Sequence, residues 1–391
     1  MYTKVLPSIS PTQIKQPYRF EMTGIIIYSI EELYYHCYHY WKESIDDFIM
    51  GRLEAWIRDA LGLPFIANQI ARIQEESQIS ITKQYMEFLS LIDYFQDKEL
   101  YALSKKIFRW EHKHEWERAK DKGDLYMHRG EYTQAIVQYQ KALEYTEDGK
   151  LLNNISMAYM QMGQYQKASQ YLTAAYKKEP QNPKILINCA LLAQQQKDYE
   201  QAENYLQSAL TIEETGIGWF YYGSLKEQMG RKEEAYEGYQ RSILFKDSQE
   251  GFLALARWHR KNGEPEKALE KLEQMPFTHH WDFYIEKANI LETENKGAEA
   301  IIVLQKASQS LLPNPQGLTT LSRLYRTNNQ VPQAKKIIEQ AIQLYPENVE
   351  VQLEWSRVQK KEGKTKSYQQ KLKKILFGWI QRYRQQSEEL L

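Results

Sequence analysis

An alanine returns along this chain at a near-constant interval. It stands at Ala135, Ala168, Ala202, Ala235, Ala268, Ala300 and Ala334, and subtraction gives spacings of 33, 34, 33, 33, 32 and 34 residues. One coincidence of this kind is common, but six in succession define a repeat. A period of this length restricts a chain to stacked, solenoid-like units in which each repeat buries the face of the next. Each unit reads as two helices. The first carries a bulky residue, a small residue and often tyrosine, as in Leu152, Ser156 and Tyr159 or Trp219 and Gly223. Glycine follows at Gly130, Gly163, Gly230 and Gly263, where a helix end needs positive φ. Four residues after each alanine the second helix repeats a bulky group on the same face (Tyr139, Leu172, Leu206, Tyr239, Leu272, Leu304 and Ile338). Three further on there is a small residue, with Met275 the exception. Pro180, Pro313 and Pro346 close some units, since proline cannot continue a helix.

This pattern resembles the tetratricopeptide-repeat family over about residues 116–348, with units starting near 116, 149, 183, 216, 249, 281 and 315. Units five and six match most loosely, with Lys287 where an apolar residue is usual. The resemblance implies an all-α protein, a right-handed superhelix of helix pairs whose first helices line a concave face. Residues 349–391 resemble a degenerate eighth unit: Trp355 and Gly363 are in register, but Tyr368 replaces the alanine. Its last helix alternates Lys371, Lys373, Lys374, Arg382 and Arg384 with Leu372, Ile375, Leu376, Trp379 and Ile380, the pattern of a solvated basic cap. A basic amphipathic helix also suits a membrane surface or an acidic partner.

Upstream, residues 1–24 hold Pro7, Pro11 and Pro17 without helical period and read as an extended arm. Residues 25–112 form a separate helical bundle that is similar to the N-terminal segment of uncharacterised bacterial repeat proteins. Ser29 and Glu32 make a capping box for its first helix. Ile45, Phe48, Ile49, Leu53, Trp56, Ile57 and Leu61 stripe a second, which Gly62 and Pro64 end. Two more follow near 64–76 and 80–95. Leu100, Leu103, Ile107 and Trp110 carry a stripe toward the array, so continuous or nearly continuous helix is expected to join the bundle to residues 113–348.

Signals for chemistry are weak. Gly363-Lys364-Thr365 has the tail of a phosphate loop, but Val358 stands where the loop needs glycine and no strand precedes it. His36, Cys37 and His39 diverge around a helix, and His112, His114, His279 and His280 read as solvated, so no metal is expected. No nucleophile elbow or dinucleotide turn is present, so neither catalytic residues nor a cofactor are assigned. Lysine plus arginine (51) balances aspartate plus glutamate (51), which gives no global field toward nucleic acid. A mean hydropathy of −0.68 and no 18-residue apolar run leave no membrane-spanning candidate. Gly24 to Ile30 also lacks the flanks of a signal peptide. Two cysteines, Cys37 and Cys189, fit a reducing cytoplasm.

The groove remains. Some members of the family clamp the C-terminal carboxylate of heat-shock 70 and 90 chaperones with Lys, Asn, Asn, Lys and Arg. The matching positions here are Lys120, Asp124, Asn154, Lys184 and Asn188, so a repelling Asp124 and a forkless Asn188 depart from the clamp. Further along, the inward columns that the resemblance implies hold Arg257 and Arg260, then Asn289, then Arg323 and Arg326. Each arginine pair at i, i+3 points one way. These residues are expected to form an anion-preferring surface for an acidic segment of a partner. The expected function is a non-catalytic scaffold or adaptor that holds a partner polypeptide, with the N-terminal bundle as a second docking surface or a site of self-association. A peptide-sensing regulator and an auxiliary subunit of an enzyme or chaperone assembly are the alternatives.

Overall fold

The computed structural model describes residues 16–363 except 21, 24, 77, 93, 246, 247, 312, 346 and 347, and the chain partitions into two units, Met1–Glu147 and Asp148–Leu391. The first unit opens with an antiparallel ladder of β1 (Tyr18–Arg19) and β2 (Ile26–Ile27), in the register Tyr18 to Ile27. Described residues of the expected arm therefore join the bundle. Phe20 is fully buried and stacks on the His36 ring at 3.6 Å. Tyr18 donates to Asp47 at 2.8 Å, and the Trp56 indole donates to the Gln16 carbonyl at 2.9 Å.

Helix α1 (Ile30–His39) starts where expected: Ser29 Oγ accepts from the Glu32 amide at 3.2 Å. The returning Glu32 carboxylate takes the Tyr28 amide (2.6 Å), one residue earlier than in the standard box. The single helix expected through Ile45 and Leu61 is two, α2 (Trp41–Ile49) and α3 (Arg52–Asp59). Gly51 lies between them at φ +69°, a conformation only glycine adopts at little cost. The apolar stripe runs across this break, which is why periodicity alone hides it. Helices α4 (Pro64–Glu75) and α5 (Ile81–Leu89) complete a core in which Tyr34, Phe48, Tyr85 and Phe88 are fully buried. The buried hydroxyls find backbone partners, Tyr34 on Phe88 O and Tyr85 on Cys37 O, both at 2.9 Å.

Helix α6 (Asp97–Glu111) buries Leu103, Ile107 and Trp110 as its stripe requires. Its last residue, Glu111, caps α5 by accepting from the Ile81 amide (2.7 Å) and the Thr82 hydroxyl (2.6 Å). The link to α7 (Glu115–His128) is broken at residues 112–114, because Glu117 accepts from the His114 amide (2.9 Å) and starts a new helix. Ion pairs from Lys122 to Asp46 (2.6 Å) and Arg129 to Glu43 (3.1 Å) fasten α7 and its partner α8 (Tyr132–Leu143) to the bundle. The first helix pair therefore belongs to the first unit.

The second unit stacks six further helix pairs. They are α9 (Gly149–Gln161) with α10 (Tyr165–Lys178), α11 (Pro183–Gln195) with α12 (Tyr199–Ile212), and α13 (Gly216–Gln228) with α14 (Lys232–Ser242). Then follow α15 (Gln249–Lys261) with α16 (Pro265–Glu273), α17 (Trp281–Thr293) with α18 (Gly297–Ser310), and α19 (Pro315–Thr327) with α20 (Val331–Leu344). Helix α21 (Val349–Lys361) comes last; the basic helix expected beyond it, within 364–391, lies outside the described residues. Asp148, Asn182, Thr215, Asn314 and Asn348 cap first helices by accepting a backbone amide, the role their short polar side chains suit.

All seven repeated alanines are fully buried. Five residues before each, the turn residue is left-handed: Gly130, Gly163, Gly230 and Gly263 near φ +75°, but also Lys197 (+63°), Asn295 (+60°) and Asn329 (+60°). The small residue of the first helix admits the second closely. A Cβ on Gly238 would stand 2.8 Å from Gly223 Cα, and the serines at this site instead bond the alanine carbonyl, Ser156 to Ala168 (2.9 Å) and Ser322 to Ala334 (3.0 Å). No described helix is long and apolar enough to cross a membrane.

Candidate partner-binding face

The four arginines singled out by position are all engaged with carboxylates of neighbouring first helices. Arg260 Nε donates to Glu286 Oε1 at 2.7 Å, and Arg257 Nε reaches Glu286 Oε2 at 3.4 Å. Arg326 grips Glu354 through two parallel bonds of 2.7 and 3.1 Å. Arg323 bonds both oxygens of Glu292 (2.8 and 2.7 Å) and the Asn289 carbonyl oxygen (3.2 Å), so Asn289 orients an arginine. Glu286 is 2% exposed and Glu354 is fully buried. A carboxylate so placed costs several kcal/mol unless paired, so these arginines are first of all its counter-ions.

The four arginines are therefore not equivalent. Arg323 is neutralised, and Arg260 and Arg326 are turned inward on buried acids. Arg257 differs: its side chain is 45% exposed, its one bond is the long one, and its terminal nitrogens have no hydrogen bond among the described residues. Two arginines share Glu286, which leaves one positive charge there, presented by Arg257.

The face continues toward the chain start with other polar bridges. Lys261 Nζ donates to Glu227 at 2.7 Å, and Tyr239 donates to the other oxygen of the same carboxylate at 2.7 Å. Lys226, 1% exposed, occupies the place where the family usually has tyrosine. Burial pushes its pKa down, but hydrogen bonds to Glu203 and Glu234, both 2.7 Å, outweigh that and hold it above the ordinary lysine value. Asn188 donates to Asn153 Oδ1 at 2.8 Å, while Lys184 is exposed and Asn154 is half-buried. In the first unit Lys120 is tied to Asp124 at 2.7 Å, and Asp124 also accepts from Tyr139 at 2.8 Å. Asp124 thus cancels the lysine that a carboxylate clamp would use.

Elsewhere, no three His, Cys, Asp or Glu side chains converge among the described residues. Burial pushes the Cys37 and Cys189 thiols up to about 12, far from reactive thiolates. Gly363 ends its helix turn at φ +85°, and Lys364 and Thr365 lie outside the described residues.

Sequence reasoning located the arginines but missed Glu286 and Glu354. A signal existed: the two glutamates are 68 residues apart, two repeat lengths (354 − 286), and each follows an arginine of the preceding unit, by 26 residues from Arg260 and 28 from Arg326. Pairing between units is invisible to a reading that follows one helix at a time.

Residues 121–148 and 315–348 match one tetratricopeptide-repeat family model and residues 159–214 match another. No curated protein matches the sequence. Among solved structures, yeast Tom70 is similar over 92% of this chain and 88% of its own, at 13% identity and a TM-score of 0.56. A tetratricopeptide repeat protein from Parabacteroides merdae matches 62% of this chain and 98% of its own, at 17% identity and a TM-score of 0.46. PilF of Pseudomonas aeruginosa matches 52% and 95%, at 20% identity and a TM-score of 0.40.

Proposed function

The chain is a tetratricopeptide-repeat protein, and on that premise we propose that it is a non-catalytic scaffold that holds an acidic segment of a partner protein against the first-helix face of α15–α19. One observation carries the choice of site: Arg257 is a half-exposed guanidinium whose terminal nitrogens are unbonded among the described residues, beside a buried carboxylate already served by Arg260. A planar fork with free donors suits a partner carboxylate. Arg323 and Asn289 extend the polar surface by one unit, but Arg323 gives up a bond to Glu292 if it engages. The buried, reduced thiols are in keeping with a cytoplasmic location.

The test uses a fluorescent peptide of alternating glutamate and leucine. Anisotropy titrations compare wild type with Arg257→Glu. The variant should bind at least tenfold more weakly, about 1.4 kcal/mol, with an unchanged melting temperature, and binding should weaken with salt. Equal affinities, or binding that ignores salt, remove Arg257 from the site.

A further inference from the structure

The outer face of α6 is built differently from every surface described above. At 100° per residue, Lys98, Tyr101, Lys105, Lys106, Phe108 and Arg109 fall within about 160° of arc, opposite the buried Leu103, Ile107 and Trp110. All six are exposed, Tyr101 by 63% and Phe108 by 53%. Lysine or arginine elsewhere in this protein commonly faces a carboxylate one turn away, as in Lys83 with Glu87, Lys120 with Asp124 and Arg241 with Glu237. On α6 no acid stands three or four residues from any of the four cations, and none of them has an ion-pair partner among the described residues. Of the helix's three acids, Glu99 accepts from the Gln96 amide and Glu111 caps α5, while Asp97 stands in the first turn, about 20° outside the arc and next to Phe108 on the wheel. Lys105 and Arg109 are like charges at i, i+4, an arrangement that weakens a helix. Folding alone does not call for this face.

We propose that the exposed face of α6 is a docking surface for an anionic phospholipid bilayer, with Lys98, Lys105, Lys106 and Arg109 against the headgroups and Tyr101 and Phe108 at the interface. Charge complementarity demands an anionic occupant. It rejects a second copy of the same face, and it rejects the chain's remaining segments, because residues 1–15 carry two lysines and no acid and residues 364–391 carry seven basic residues against two acidic. Shape and chemistry favour a bilayer over an acidic peptide. Half of a helix cylinder is convex, so a peptide laid on it finds no walls, whereas a plane needs none. Where this protein grips single carboxylates it uses arginine forks, at Arg260 and Arg326; here three of four cations are lysines, point charges suited to a diffuse anionic surface. Tyr101, with Lys105 Nζ 4.3 Å from its ring centre, pairs an apolar body with a polar tip, the character that places aromatics at membrane interfaces. Because the chain is neutral overall, the attraction acts at short range.

Sedimentation of the full chain with vesicles tests this. Vesicles of equimolar phosphatidylcholine and phosphatidylglycerol should carry it down and pure phosphatidylcholine should not, with release at high salt. Each cation near such a surface is worth about fivefold. The variant with Lys98→Gln, Lys105→Gln, Lys106→Gln and Arg109→Gln should lose at least tenfold in partitioning. It should melt no lower than wild type, because repulsion is removed and glutamine keeps helix propensity. Tyr101→Ser with Phe108→Ser should weaken binding severalfold. Arg257→Glu should leave vesicle binding intact, so this surface and the groove succeed or fail separately. A wild-type chain that ignores anionic vesicles, a glutamine variant that binds them undiminished, or tighter capture of an acidic peptide or a single-stranded oligonucleotide by α6 would each overturn the proposal.

Discussion

Acid should loosen the first unit through one histidine. His36 is 2% exposed, with its ring stacked on Phe20 and no carboxylate beside it. Ser44 Oγ donates to Tyr40 O at 2.8 Å, so it accepts from His36 Nδ1–H (2.8 Å), and Nε2 is left to accept the Thr23 hydroxyl (2.8 Å). The neutral ring thus satisfies both nitrogens, and a proton added to it would place a charge in a buried site close to Arg129. Burial, the larger cause, and the nearby Arg129 charge push its pKa down to about 3 from 6.5. A folded pKa below the unfolded one means that the stability contribution is complete above pH 6.5 and is lost as pH falls toward 3, because the unfolded chain binds the proton first. The slope is about 1.4 kcal/mol per pH unit, so about 3 kcal/mol should be gone by pH 4. Melts of wild type and His36→Gln between pH 7 and 4, with hydrogen exchange read on peptides from α1 and α2, isolate this residue from other titrating groups. The glutamine variant starts less stable and converges on wild type as the pH falls. Parallel curves would refute the reasoning.

Two further substitutions test the helix hairpins. Lys197→Gly relieves a left-handed lysine at the position where Gly163 and Gly230 are at ease, and should raise stability by about 0.5–1 kcal/mol in thermal melts; a loss would show that φ +63° is not strained there. Gly238→Ala puts a methyl 2.8 Å from Gly223 Cα, backbone against backbone, and should cost about 1–3 kcal/mol; a neutral result in the same melts would mean that α13 and α14 separate freely.

The helix pairs were legible because each alanine, its left-handed turn and its bulky follower act within one unit, and those spacings are local. The breaks were not. Gly51 interrupts an apolar stripe that continues through it, and two strands of two residues each carry too little pattern to stand out from a proline-rich arm. The site was half legible. Arg257, Arg260, Arg323 and Arg326 could be chosen by register, but whether an arginine is free depends on the acid one unit away, and only the folded stack brings Glu286 and Glu354 to them.

The polar bridges between first helices also set where the second unit is stiff. Hydrogen bonds or ion pairs tie α9 to α11, α13 to α15, α15 to α17, α17 to α19 and α19 to α21. Between α11 and α13 none is present among the described residues; Leu186, Ile187, Ala190 and Leu225 meet there through apolar packing alone. Apolar contacts tolerate sliding and rotation that a two-bond fork does not. At that joint the polar tie runs through the other helix of the pair instead, where Lys226 of α13 meets Glu203 of α12 at 2.7 Å, so each junction between successive pairs carries a polar bridge and only the helix that supplies it changes. Strain applied by a bound partner is therefore shared along the stack and has no single hinge at which to collect.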